Sequence, residues 1–479
     1  MIGIILNDIA YQQDIRELLT AFYPGENYVY EEQENLLFSV RGTLNQERTR
    51  FSLEIEPGYI GEPIPVEYDN RFQTKNQIKR RLYSYLTAMT GRDLPWGTLT
   101  GIRPTKIAVT KLEEGKTEAE IYAHMKDTYV TGDDKIRLSI EIARRELELI
   151  RAIDGKNGYS LYIGIPFCPT TCLYCSFTSY PIGKWQGRTG LYLDALFNEM
   201  EYVARKKMGR SPDTIYLGGG TPTSLSAEDL ELLFTRLEEL FDCSGTLELT
   251  VEAGRPDSIT REKLLVLKRH GVTRISINPQ TMKQQTLDLI GRHHTASMVR
   301  DCFLLARELG FDNINMDLII GLPEETLTDV QETLEAVKEL SPDSLTIHSL
   351  AIKRAARLNT MKEVYKDLVI VNTQEMIDLT AGYARAMGME PYYLYRQKNM
   401  AGNFENVGYA LPGKACIYNI LIMEERQSIL ACGAGTTTKI LYPDENRLER
   451  VENVKDVEQY ISRIEEMKQR KENLVSKSY

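Results

Sequence analysis

Cysteine is sparse in this sequence. Seven in 479 residues, an odd number, do not make the disulfide framework of a small secreted scaffold. No uncharged apolar run approaches the ~18 residues that a membrane span requires, and the opening Met1-Ile-Gly-Ile-Ile-Leu-Asn-Asp8 has no basic segment ahead of its short apolar stretch. Low-complexity tracts are missing. So is an excess of basic residues: the net charge is −10, which argues against a general nucleic-acid binder while leaving room for a local basic patch. What remains is an ordinary globular composition, 42% hydrophobic and 26% charged, with length for about two to four domains of ~100–200 residues. A cytoplasmic protein with reduced thiols is expected, with neither a membrane nor a nucleic acid as partner.

Three of the cysteines stand together. Cys168, Cys172 and Cys175 lie in Tyr162-Ile-Gly-Ile-Pro-Phe-Cys-Pro-Thr-Thr-Cys-Leu-Tyr-Cys175. Three thiolates on one short loop can hold three irons of a cubane and leave the fourth open to grip a small chelating molecule. A structural zinc site would need a fourth Cys or His close by. The nearest histidines are His124 and His270, so the spacing favours a cluster without closing the zinc alternative. Cys243, Cys302, Cys416 and Cys432 are scattered singly among apolar neighbours and read as small core residues.

From Tyr159 to about Leu350, short β-branched runs alternate with amphipathic helical segments. The runs are Leu161 to Ile165, Thr214 to Leu217, Leu247 to Val251, Thr273 to Ile277, Ile314 to Ile319 and Ser344 to Ile347; each is too short and too β-branched for a helix. The segment from Ser226 places Leu230, Leu233, Phe234, Leu237, Leu240 and Phe241 at helical spacing behind a Ser cap. Another begins at a Thr260 cap and stops at Gly271. Consecutive βα units mean a parallel sheet, open or closed towards a barrel. The cysteine loop, Gly218-Gly219-Gly220-Thr221-Pro222, Glu252, Asn278-Pro279-Gln280, Asp317 and His348 all fall at or near the carboxyl ends of these strands. Barrel enzymes place their sites on that rim.

Each group also has a plainer explanation. The glycines can serve a tight turn, and Glu252 and Asp317 can be ordinary paired or capping carboxylates. Asp317, however, sits in the apolar run Ile314-Asn-Met-Asp-Leu-Ile-Ile320, where burial demands a partner; a ribose diol offers two donors. His348 reads more simply as a satisfied core histidine.

Together, Tyr162-x-x-Ile-Pro-Phe-Cys-x-x-x-Cys-x-Tyr-Cys, Gly218-Gly-Gly-Thr-Pro222 and Asn315-x-Asp317-Leu-Ile-x-Gly321-Leu-Pro323 resemble the radical S-adenosylmethionine enzymes related to oxygen-independent coproporphyrinogen III dehydrogenase. The resemblance covers about residues 155 to 440, and the long amino-terminal extension is similar to that of the HemZ-type members. It implies an α/β fold with a partial (β/α)6 barrel core over 151–369, an α+β amino-terminal domain with a basic patch over 1–150, and a mixed α/β carboxyl-terminal cap over 370–479. The implied cofactors are a [4Fe–4S] cluster on Cys168, Cys172 and Cys175 and one or two molecules of S-adenosylmethionine. The implied chemistry is reductive cleavage of that molecule to a 5'-deoxyadenosyl radical. The radical starts the oxidative decarboxylation of two propionates of coproporphyrinogen III, giving protoporphyrinogen IX in anaerobic heme biosynthesis.

Carried over by position, Tyr162, Gly219 and Glu252 contact the first S-adenosylmethionine; Tyr174, Gly220, Thr221, Gln280, Arg292, Asp317 and Ala351 contact a second. Tyr162 and Arg354 are the expected catalytic residues, and an electron donor such as flavodoxin or ferredoxin is the expected partner beside the porphyrinogen or other anionic substrate. Phe177 stands where the best studied dehydrogenases have a further cysteine, and Gly164 where many relatives carry a histidine. Radical methyl transfer or ring opening on a tetrapyrrole or other aromatic is an alternative outcome on the same scaffold. A heme-binding trafficking protein is another; that subfamily shares the CxxxCxxC-x-Phe ending but has a His-Asn pair where this chain has Tyr418-Asn419.

Outside the core, alternating runs at Ile2 to Leu6, Leu36 to Val40 and Arg50 to Ile55 suggest a small sheet followed by a helix from about Thr74 to Thr90. Arg71, Lys75, Lys79, Arg80, Arg81, Arg92, Arg103 and Lys106, against the single acid Asp93, form a local patch that reads as a solvated helix face or as an attractor of anions. Lys353, Arg354 and Arg357 follow the sixth strand as a clamp for propionates. Tyr392, Tyr393 and Tyr395 beside Arg396 and Lys398 are stacked aromatics for a flat ring or, more often in strands, core. Val454 to about Lys471 reads as a surface helix.

Overall fold

The computed structural model describes residues 1–475 apart from 102, 178, 207–209, 354, 362, 398, 399 and 446. Two compact units result: residues 1–144 with 394–405, and residues 145–393 with 406–479.

The first unit is built on a six-stranded mixed sheet in which Ile2–Leu6 pairs in parallel with Tyr28–Val29 and Phe38–Leu44, and Phe38–Leu44 pairs antiparallel with Arg50–Glu56. Helices Gln12–Phe22 and Arg71–Thr90 bury Leu18, Leu19, Phe22, Ile78, Leu82 and Leu86 in its core. Asn70 caps the second helix at its start, and Gly91 ends it in the left-handed conformation. The basic patch is thinner than its sequence suggests. Lys79 is buried and donates to Thr100 Oγ1 at 2.9 Å, while Arg71 reaches Asp14 at 3.3 Å and Arg81 reaches Glu62 at 3.6 Å. Within the same unit Glu405 accepts from Trp96 Nε1 and Lys135 Nζ at 2.8 and 2.6 Å.

In the second unit six parallel strands run in sequence order: β1 (Tyr159–Ile165), β2 (Thr214–Gly219), β3 (Glu248–Val251), β4 (Arg274–Ser276), β5 (Ile314–Ile320) and β6 (Ser344–Ser349). They form a partial (β/α)6 barrel. Helices between them bury one apolar face each; Ala227–Leu240 turns Leu230, Leu233, Phe234 and Leu237 inward behind the Ser226 cap. Thr260, Thr295 and Thr326 cap the helices that follow. The strands alternate apolar residues with polar or aromatic ones, as in Ser344-Leu-Thr-Ile-His-Ser349, where Leu345 and Ile347 are buried.

Strands from the segment 370–479, expected as a cap, extend this same sheet. β7 (Glu390–Tyr395) and β8 (Asn406–Ala410) lie beyond β6, and β9 (Ser428–Cys432), β10 (Thr437–Tyr442) and β11 (Arg447–Glu452) beyond β1. Tyr392 and Tyr393 are buried, which assigns them to the core rather than to a ring-stacking platform. The carboxyl-terminal segment is not a simple surface helix either. It comprises Val457–Ser462 and Ile464–Val475, and Lys471 is fully buried against Glu199 and Asn453. Cys416 and Cys432 are core residues, whereas Cys243 and Cys302 are half-buried. Among the described residues no helix is long and apolar enough to cross a membrane.

Candidate active site

The cysteine loop leaves β1 at its carboxyl end and is tied down on three sides. Gly220 N and Thr221 N donate to Ile165 O and Phe167 O at 2.8 and 2.7 Å, joining it to the end of β2. Leu173, between the second and third cysteines, packs with Ile290, Ile319, Leu322, Leu350 and Leu358, and its backbone bonds to Ile290 and Leu358 at 2.9 and 3.0 Å. Thr170 Oγ1 donates to Gly291 O at 3.0 Å. The Cys168 thiol lies 3.5 Å from Thr221 Oγ1, and Arg255 Nη1 reaches Cys172 Sγ at 3.7 Å.

Burial pushes the Cys175 thiol up to about 11 and raises that of Cys168 as well, with the nearby Cys172 adding to both. Loading a metal there must therefore release protons. Among the described residues no three Cys, His, Asp or Glu side chains converge on a single metal ion, as a zinc site requires; a cubane instead places each thiolate on its own iron. Arg255 and Lys353 act electrostatically on the thiols, and Gln280 Oε1 is buried without a protein partner. The three loop thiols with these cationic neighbours fit a three-thiolate cluster.

Below the loop, the barrel interior is lined with polar groups. The β1–β2 register sets Tyr162 beside Tyr216; their rings stack at 6.0 Å, and Tyr418 stacks on Tyr216 at 4.5 Å. Tyr216 Oη donates to Glu252 Oε1 at 2.6 Å. Asp317 accepts from Asn315 Nδ2 at 2.7 Å and lies 3.7 Å from His348 Nε2. The two carboxyls are pushed apart. Burial, and then the Asp317 charge, raise Glu252 to about 7 against the Tyr216 hydrogen bond. Burial also works against the charge on Asp317, yet His348 and Asn315 hold it below the ordinary carboxylate value. Such separation is the usual mark of a working site.

Several of the expected contact residues are tied to the strand ends and their loops. Arg292 donates to Tyr174 Oη, Gly254 O and Asn278 O at 3.1, 3.0 and 2.7 Å. Gln280, held at φ 66°, exchanges backbone bonds with Asp317 and Ile319. Gly219 adopts φ 105°, and a Cβ on Gly220 would sit 2.5 Å from Phe167 O. Ala351 follows Leu350, whose N donates to Ile320 O at 2.9 Å. Arg354 and Lys398 lie outside the described residues; Lys353 Nζ stands 5.4 Å over the exposed Phe177 ring.

At Gly164 a Cβ would approach Thr436 Cγ2 to 2.4 Å, so the position has no room for a larger side chain without movement of its neighbours. His348, which reads from sequence more simply as a satisfied core histidine without a role, faces Asp317 and remains partly exposed. Sequence reasoning missed Tyr216 and Arg255; Asn278, placed on the rim from sequence without a role, accepts at its Oδ1 from Asp317 N at 3.1 Å. The available signal was Arg255-Pro-Asp257 directly behind a strand-end glutamate.

A model of the radical SAM superfamily matches residues 162–337. The oxygen-independent coproporphyrinogen-III oxidase-like protein HemZ of Bacillus subtilis (strain 168) is 40% identical over 473 residues, 96% of this chain and 94% of that protein. The heme chaperone HemW of the same organism is 40% identical over 195 residues, 40% of this chain and 51% of its own. The structure of Escherichia coli coproporphyrinogen III oxidase (HemN), described as a radical SAM enzyme, superposes with a TM-score of 0.55 at 24% identity over 67% of this chain and 72% of that one. The chain therefore belongs to the HemZ family of oxygen-independent coproporphyrinogen-III oxidase-like proteins within the radical SAM superfamily, whose cofactors are a [4Fe–4S] cluster and S-adenosylmethionine.

Proposed function

We propose that this protein is a coproporphyrinogen III dehydrogenase, acting without oxygen in heme biosynthesis and taking its electrons from a small donor protein such as flavodoxin or ferredoxin. One observation carries the reading: likeness to an oxidase-like protein extends over 96% of this chain, whereas likeness to the B. subtilis heme chaperone extends over 40%.

Cys168, Cys172 and Cys175 hold the cluster, which together with S-adenosylmethionine supplies a hydrogen-abstracting 5'-deoxyadenosyl radical. Tyr162, Gly219 and Glu252 seat the first S-adenosylmethionine, Glu252 accepting from its amine. Tyr174, Gly220, Thr221, Gln280, Arg292, Asp317 and Ala351 line a second position, where the ionised Asp317 accepts from hydroxyls. Lys353 and Arg357, with Arg354, attract propionates. Gly164 brings no imidazole to the mouth, and Glu252 and Asp317 are carboxyls there that can take part in proton transfer. A heme-chaperone role is disfavoured where Tyr418 occupies the place of a histidine and stacks on Tyr216.

Incubation of the anaerobically reconstituted protein with S-adenosylmethionine, a strong reductant and coproporphyrinogen III is expected to give protoporphyrinogen IX with loss of two carbon dioxides. A methylated or ring-opened product would replace the proposal with the alternative radical chemistry, and a stable heme complex without turnover would replace it with a chaperone.

A further inference from the structure

We infer that Arg255 and Asp257 set the reduction potential of the cluster, Arg255 as a donor to the Cys172 sulfur and Asp257 as the anion that tempers its charge. The inference rests on the assignment of Cys172 as a cluster ligand. Arg255 is 3% exposed, and its guanidinium is divided. Nε and Nη2 clasp Asp257 at 2.9 and 2.6 Å; Nη1 points to the cysteine loop, at 2.8 Å from Thr170 Oγ1, 3.2 Å from Thr170 O and 3.7 Å from Cys172 Sγ.

Burying a guanidinium is costly unless every donor is used. Here one fork is neutralised by a carboxylate while Nη1 is shared between Thr170 and the Cys172 sulfur. A reduced cluster carries one more negative charge than the oxidised one, so an N–H donor and a nearby cation favour the reduced form and raise the potential. Low local dielectric strengthens the effect. Asp257 opposes it: burial works against its charge, but the Arg255 guanidinium keeps its carboxyl below the ordinary value. A cation and an anion on one clamp thus shift the same quantity in opposite directions. A clamp that only fixes Thr170 gives no such pattern.

The test is an EPR-monitored redox titration of the full-length, anaerobically reconstituted wild-type protein, Arg255→Met and Asp257→Asn, with iron and sulfide measured in each. The expected result is a lower midpoint for Arg255→Met and a higher one for Asp257→Asn at wild-type cluster content. Midpoints that stay put, or that move in the same direction, overturn the inference. If Arg255→Met does not load, Asp257→Asn decides alone: an upward shift supports the inference, and none or a downward one overturns it. Loss of the cluster from both variants overturns it in favour of a folding role. A wild-type protein that takes up no iron refutes the cluster assignment itself, and the inference with it.

Discussion

Protein carrying Cys172→Ala is expected to stay colourless after anaerobic reconstitution with iron and sulfide, and to cleave no S-adenosylmethionine. Three thiolates leave one iron open; two leave a cubane with a second unheld corner. Cys172 is the most buried of the three, at 8% exposure, and its loss also strips the Arg255 Nη1 of its sulfur partner. Colour, iron content and 5'-deoxyadenosine formation should fall together to background. Cys243→Ala is the control: its thiol bonds to Phe241 O at 3.5 Å, two residues away in sequence, and the variant should load like wild type. A Cys172→Ala protein that keeps its colour would refute the cluster assignment.

Binding of S-adenosylmethionine is expected to weaken as pH falls through about 7 and to level off above it. The sign follows from Glu252. Burial first, then the Asp317 charge, raise its carboxyl to about 7 in the folded protein. Below that pH it is protonated and no longer a full-charge acceptor for an amine; above it the carboxylate is ready. Glu252→Gln keeps the shape and removes the titration. At pH 8 it should bind about 10- to 150-fold more weakly, the value of a charge-assisted hydrogen bond of roughly 1.5–3 kcal/mol, and its dissociation constant should not change between pH 6 and 8. Equilibrium dialysis on reconstituted protein measures both. A flat wild-type profile would contradict the role given to Glu252.

Much of this architecture was legible in the sequence because it rests on short-range rules. The β-branched runs, the Ser226 and Thr260 caps and the triple glycine each declare themselves within a few residues, and the strand ends then bring the polar groups to one rim. What the sequence hid depends on distant partners. Arg255 acquires meaning only from Cys172, 83 positions earlier. Lys471 looks like one more surface lysine among the ion pairs of Glu465, Glu466, Lys468 and Arg470, yet its partner Glu199 lies 272 positions away. Lys79 was counted in a surface patch for the same reason. Its burial depends on Thr100 and, beyond it, on Glu17, whose Oε2 accepts from Thr100 Oγ1 at 3.0 Å. At Gly164 the resemblance marks a place where many relatives carry a histidine; only the structure shows that Thr436, far away in sequence, stands 2.4 Å from where a Cβ would be.

The central claim is a cluster with one open iron at the mouth of the barrel, and EPR of the reduced, reconstituted protein before and after addition of S-adenosylmethionine tests it most directly. The account predicts a single [4Fe–4S]+ signal whose g-values shift when S-adenosylmethionine is added; a signal that S-adenosylmethionine leaves unchanged would contradict it.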